Sequence, residues 1–309
     1  MYDNIKHVYV LGLGAIGAKY ASMIYDVDPN GIHVIVDASR KERYEREGIY
    51  VNDKRYSFHY VTTPEEGPKA DLIILSVKSL DLQVALEKMR PFVHKDTIVL
   101  SLLNGIRNAQ QINSSLGWDA AVWSIVYMDA VKSGNRITFG HPGKVVFGEA
   151  NNKVKSPRVS AICSFFDKMG VNYTVPEDMM LALWKKFLIN VVGNQLTYIL
   201  DSGYGALQDN PYVLQLVQAI GEEVIQIANA QGIGLVQQDI DNMVSTMKKI
   251  NPQAKTSMAQ DRQFDRLSEV DIFAGEMIRL GQQLNIPTPY NFMLYNLIKG
   301  YEFERFGRH

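Results

Sequence analysis

Cysteine is all but missing: Cys163 is the only one in 309 residues. An intrachain disulfide is therefore excluded, and such usage fits a reducing compartment. The six histidines (His7, His33, His59, His94, His141 and His309) are scattered without metal-ligand spacing, and no Cys/His cluster accompanies them, so no metal site is expected. An excess of either charge is also lacking. Lys and Arg total 32 against 33 Asp and Glu, for a net charge of −1. With no dense basic patch, nucleic acid and anionic membrane surfaces are poor partners. No apolar run approaches the ~20 residues of a membrane span; Phe187 to Val192 is short and broken by Asn190. Neither a G-x-S-x-G elbow nor a P-loop is present. Met1 to Lys6 leads straight into a strand pattern and carries no signal-peptide pattern, so a cytoplasmic protein is expected.

What is present begins at residue 8. Val8-Tyr9-Val10-Leu11 runs into Gly12-Leu13-Gly14-Ala15-Ile16-Gly17. In a strand–turn–helix unit each glycine of G-x-G-x-x-G has a physical task. Gly12 allows the tight turn, Gly14 allows close approach to a pyrophosphate, and Gly17 lets the helix lie near the sheet with its N-terminal N–H groups on the anion. A helical stretch, Ala18 to Tyr25, follows, and a second strand, Ile32 to Val36, ends in Asp37. Asp37 stands 20 residues after Gly17, where an acid bonds a free ribose 2′-OH and favours NAD. Arg40, Lys41 and Arg43 follow closely and are candidates for a 2′-phosphate.

Asp71 to Val77 and Thr97 to Leu102 are near-continuous apolar runs of the kind parallel strands show when both faces are covered. Ala121 to Val126, Arg136 to Phe139 and Lys144 to Phe147 alternate more and read as antiparallel. From about Glu177 strand patterns vanish. Helical spacing runs over Met179 to Leu200, Pro211 to Gln231, Gln237 to Lys249, Ser257 to Leu284 and Tyr290 to Phe303. The expected fold is α/β: an N-terminal Rossmann-type doubly wound sheet over residues 1–175, then an all-helical C-terminal domain over 176–309.

Lys78 and Asn104 each follow a parallel strand, at the edge where a dinucleotide lies; a solvated lysine and an ordinary Asn-Gly turn read equally well. Lys186, Asn190 and Asn194 fall on one face of an otherwise apolar helix. A polar stripe in such surroundings is either an internal hydrogen-bond network or a ligand-binding face. Ser257, Asp261, Asp265 and Glu269 make a second stripe, read from pattern alone as solvated surface. Glu269 is its one acid placed where the pattern turns apolar.

The ordered set Gly12 to Gly17, Ser76-Val77-Lys78, Leu103-Asn104-Gly105, Trp184-Lys185-Lys186 with Asn190 and Asn194, Ser257 to Asp261, and Ser268-Glu269-Val270-Asp271 with Gly275 resembles the ketopantoate reductase (2-dehydropantoate 2-reductase) family along essentially the whole chain. The resemblance implies NADPH-dependent reduction of ketopantoate to D-pantoate, in pantothenate and coenzyme A synthesis. By position it makes Lys186 the proton donor and Glu269 the active-site glutamate that orients substrate. Asn190, Asn194 and Ser257 become substrate contacts, and Lys78, Asn104 and Ala130 line the cofactor. Asp37 departs from the arginine the family usually places there, so NADP(H) is favoured and NAD(H) stays open. A small 2-keto acid is the expected partner, and a homodimer is left open. Two alternatives stand beside this reading. One is a D-2-hydroxy-acid dehydrogenase acting on another 2-keto acid. The other is a non-catalytic dinucleotide-binding sensor, which would need neither Lys186 nor Glu269.

Overall fold

The computed structural model describes residues 4–128 and 130–307; Met1 to Asp3 and His309 lie outside them. The chain divides into two compact units, the first ending at Met179 and the second starting at Met180.

In the first unit the strands are β1 (Val8–Leu11), β2 (Ile32–Ile35), β3 (Ile49–Val51), β4 (Lys54–Tyr56), β5 (His59–Val61), β6 (Leu72–Leu75), β7 (Ile98–Ser101), β8 (Ala121–Tyr127), β9 (Ala130–Ser133), β10 (Arg136–Phe139), β11 (Lys144–Gly148) and β12 (Tyr173–Thr174). Five helices join them: α1 (Ala15–Val27), α2 (Ala38–Glu47), α3 (Leu82–Met89), α4 (Asn108–Leu116) and α5 (Pro157–Met169). Eight strands form one sheet in the order β12-β11-β8-β7-β6-β1-β2-β5, parallel throughout except at β11–β8. Strand alternation divides the apolar runs between two cores. Val8, Val10, Val34 and Ile74 pack with Ala18, Ile24 and Ile162 on one face. Tyr9, Leu11, Ile73 and Val99 pack with Leu86, Met89 and Ile112 on the other.

The late strands are mixed rather than purely antiparallel. β8 lies parallel to β7 and antiparallel to β11. β10 is antiparallel to β9 but parallel to β3, which completes a second sheet in the order β4-β3-β10-β9. Local alternation reports only that a strand is half-covered; the direction of its partner depends on chain far away in sequence.

The same topology gathers three histidines that no sequence spacing links. His33 on β2 stacks on Tyr9 with ring centroids 4.7 Å apart, and its Nδ1 lies 2.9 Å from His59 Nδ1 on β5. The His7 ring is 6.3 Å away. Among the described residues no group of three or more side chains could hold a metal ion. Burial, reinforced by His59 and His7, lowers the His33 pKa to about 4. The unfolded chain, with an ordinary histidine near 6.5, binds more protons between those values, so this stability is complete above about pH 6.5 and lost as pH falls through 4. We expect about 3 kcal/mol of acid destabilisation over that window. His33→Phe, which keeps a ring over Tyr9, should flatten this limb in pH-dependent urea melts. An unchanged slope would remove His33 as its source.

The second unit is helical. α6 (Met179–Ile189) leads into it, followed by α7 (Gln195–Ile199), α8 (Pro211–Ala230), α9 (Gln237–Met247), α10 (Ser257–Gln263), α11 (Ala274–Leu284) and α12 (Pro289–Phe306). Two of the predicted continuous helices are interrupted. Between α6 and α7 the backbone widens into a π turn over Asn190–Asn194. The stretch from Ser257 to Leu284 is not one helix either: α10 stops at Gln263, Asp265 takes φ +50°, and a 3₁₀ turn over Val270–Ile272 precedes α11. Tertiary bonds to α12 replace the helical ones here. Arg305 grips Asp265 with two bonds of 2.9 and 3.0 Å, and Glu302 accepts the Ser268 N–H at 2.7 Å. The solvated stripe therefore dissolves. Asp265 stays exposed, whereas Asp261 is buried along with Glu269. Among the described residues no helix is long and apolar enough to cross a membrane.

Candidate active site

The glycine-rich turn follows β1, the neighbour of β6 in the sheet. Gly12 has φ +103°, and a Cβ there would stand 2.7 Å from the Ser76 carbonyl oxygen. A Cβ on Gly17 would overlap the Gly12 carbonyl oxygen, so helix and turn touch backbone to backbone. Gly14 is different: a Cβ there would meet only the Ser76 oxygen, at 3.7 Å. Among the described residues that is ordinary van der Waals contact, so the backbone at 14 is open to close approach. Ser76 Oγ donates to the Gly12 carbonyl at 2.7 Å and fixes the turn. Gly14 caps α1 without a side-chain bond, which leaves the first-turn N–H groups of Ala15, Ile16 and Gly17 for an anion. Leu13 is buried, and its carbonyl receives the ammonium of Lys132 from β9, the strand that starts at half-buried Ala130.

Lys78 and Asn104 follow β6 and β7, so the turn, the lysine and the asparagine leave three adjacent strands at the same sheet edge. Lys78 is exposed and Asn104 half-buried. After β2, Asp37 caps α2, accepting the Arg40 N–H at 2.8 Å. That bond is the main reason its carboxyl is held below the usual range. Its other oxygen lies 3.6 Å from Arg40 Nε and 3.7 Å from Lys88 Nζ. Lys41, a candidate phosphate contact by sequence, is instead paired with Glu66 at 2.6 Å, and Arg43 lies over the Tyr44 ring.

In the second unit, Lys186 sits near the end of α6, half-buried, and desolvation lowers its pKa to about 8. Asn190 and Asn194 occupy the two ends of the π turn and are both buried. Asn194 Nδ2 donates to Ser257 Oγ at 3.2 Å. Ser257 is the exposed first residue of α10, which packs against α7 and the π turn. Buried Glu269 belongs to a segment pinned at both sides: Ser268 N–H to Glu302, and Asp271 to the Tyr295 hydroxyl at 2.9 Å. Lys88, Lys132 and Glu302 escaped the sequence reading, because each reaches its place through a partner far along the chain.

Two family models match this chain. One described as "Ketopantoate reductase PanE/ApbA" covers residues 8–152, and one described as "Ketopantoate reductase PanE/ApbA C terminal" covers residues 178–302. The 2-dehydropantoate 2-reductase of Pyrococcus horikoshii is 29% identical over 305 residues, spanning 96% of this chain and 97% of the relative. A crystal structure of a PanE/ApbA family ketopantoate reductase from Ralstonia eutropha superposes with a TM-score of 0.84 at 26% identity, covering 97% of this chain and 99% of that one. A ternary structure of D-mandelate dehydrogenase with NADH and anilino(oxo)acetate shares the fold, with a TM-score of 0.85 at 24% identity over 96% of this chain and 99% of that one. With both halves matched in order, the chain belongs to the ketopantoate reductase family of oxidoreductases.

Proposed function

We propose that this chain reduces 2-dehydropantoate to D-pantoate, with Lys186 as proton donor and Glu269 orienting the substrate through its hydroxyl. The observation that carries the reading is Lys186: an ammonium with a pKa lowered to about 8, on the helix that continues into buried Asn190 and Asn194. The glycine turn, with its open space at Gly14 and free α1 N-terminus, suits a pyrophosphate. When bound, the reduced nicotinamide supplies the hydride. The chain's own side chains deal with the charge that follows. A protonated Lys186 stabilises the developing alkoxide and then protonates it. Asn190, Asn194 and Ser257 offer amide and hydroxyl groups to the keto acid. Glu269 accepts a hydrogen bond from the substrate hydroxyl, a group pyruvate lacks. NAD(P)H oxidation measured with ketopantoate, pyruvate, 2-ketoisovalerate and phenylglyoxylate tests this reading. A kcat/KM highest for one of the other three would make the chain a D-2-hydroxy-acid dehydrogenase of different specificity.

On the same reading the hydride donor is NADPH. Asp37 is committed to capping α2 and is flanked by two cations, Arg40 and Lys88, so this cluster carries net positive charge. A planar guanidinium at Arg40 can take a 2′-phosphate with two bonds. Arg40→Ala is expected to cost about 1.5–3 kcal/mol of NADPH affinity and to leave NADH use almost untouched. The check is kcat/KM for both cofactors in wild type and variant. A wild-type preference for NADH would hand the site to Asp37.

A further inference from the structure

A π turn is a rare piece of backbone, and in this chain it falls on Asn190–Asn194. In a regular α-helix each four-residue step overshoots a full turn by about 40°. The wider turn undershoots instead, and so returns Asn194 toward the line of Lys186 and Asn190. Carbonyls within it also accept from side chains further along. Gln195 Nε2 donates to Val191 O at 2.6 Å, and Thr197 Oγ1 reaches Gly193 O at 2.8 Å and Asn194 O at 3.2 Å.

Thr197 does more than close the turn. Its Oγ1 also lies 2.7 Å from Thr256 Oγ1, and both residues are buried. Carbonyls only accept, so the single Thr197 proton goes to the π turn and the Thr256 hydroxyl donates to Thr197. Thr256 in turn caps α10, accepting the Ala259 N–H at 3.3 Å. The residue after it is Ser257, whose hydroxyl meets the Asn194 amide. The ring runs from the Asn194 carbonyl through Thr197, Thr256 and Ser257 back to the Asn194 side chain.

We infer that Thr197 is a positioning residue, whose buried hydroxyl ties the π turn to the cap of α10 and thereby fixes Asn194 and Ser257 against each other. The inference rests on the keto-acid-binding role proposed above for those two residues. Thr197→Val keeps the shape and deletes the hydroxyl; Thr197→Ser keeps the hydroxyl. With ketopantoate and NADPH as probes, Thr197→Val should raise the keto-acid KM about tenfold or more, with a smaller change in kcat and none in NADPH affinity. Thr197→Ser should return KM close to wild type. Should Thr197→Val lose its cooperative melting transition, Thr256→Val leaves the π-turn bonds of Thr197 in place, removes its link to α10 together with the Thr256 cap on the Ala259 N–H, and should raise KM in the same direction. Wild-type KM in the folded hydroxyl-deleting variants overturns the inference, as does a Thr197→Ser variant as impaired as Thr197→Val. Asn194→Ala, run alongside, separates the two claims. If it too shows wild-type KM, the site reading fails and this inference with it; if only Asn194→Ala is impaired, the inference alone fails.

Discussion

Lys186→Ala is expected to lower kcat for keto-acid reduction by roughly 10²–10⁴, the range for losing a general acid. Dinucleotide affinity should be retained, since the glycine turn belongs to the other compact unit. Half-buried Lys186 is not a core residue, so its truncation should leave the thermal melt nearly in place. The pH profile carries the second half of the expectation. As the proposed acid the group must be protonated to act, and desolvation lowers its pKa to about 8. Reduction should therefore be fullest below that pH and decline as pH rises through it, while alcohol oxidation, which needs the neutral amine, should rise over the same range. Lys186→Arg keeps the charge but cannot release a proton, so it should restore little turnover. Single-turnover measurements of NAD(P)H oxidation decide the matter. Near-wild-type rates in the alanine variant, with cofactor bound, would remove Lys186 from the chemistry.

Glu223→Ala is expected to cost about 3–5 kcal/mol of stability, the scale for stranding several buried donors at once. The Glu223 carboxylate, on α8, is buried and accepts the N–H of Tyr290 at 2.7 Å, the N–H of Asn291 at 3.1 Å and Asn291 Nδ2 at 2.7 Å. Those donors open α12, whose own cap residue Thr288 makes no side-chain bond. A residue from another helix thus serves as the cap, and its negative charge suits the positive helix end. Gln195 joins the same network, donating to Asn291 Oδ1 at 3.4 Å while it holds Val191 O. Glu223→Gln keeps an acceptor and should lose less. Urea denaturation midpoints for the two variants provide the comparison, and equal midpoints for Glu223→Ala and wild type would refute the capping role.

Much of the candidate site was legible because its signals are local. The glycine turn is written in six consecutive residues, and the spacing of Lys186, Asn190 and Asn194 marks a polar stripe in an apolar segment, although a π turn interrupts the helix expected there. The four-residue stripe from Ser257 to Glu269 misled, because periodicity persists in sequence even where Arg305 and Glu302 pull the backbone out of the helix. Asp261 was accordingly read as solvated when it is buried. The π turn has no such periodic signature; Gly193, costly inside a helix, was its only local hint. The pairing of β3 with β10, and the placing of Lys88 beside Asp37, depend on chain closure over long distances, which residue patterns do not record.

The second sheet also sets a timetable for synthesis. The Tyr50 and Asn52 N–H groups are satisfied by Asn135 O and Ile137 O, both at 2.9 Å. Arg136 lies 85 residues beyond Val51. At about 5–20 residues per second, the β3 edge emerges from the ribosome roughly 4–17 s before the strand that covers it. Over that interval a nascent chain presents an open strand edge, able to pair with any extended neighbour. Crowded translation of this protein thus has a defined weak moment, and it closes when β10 arrives.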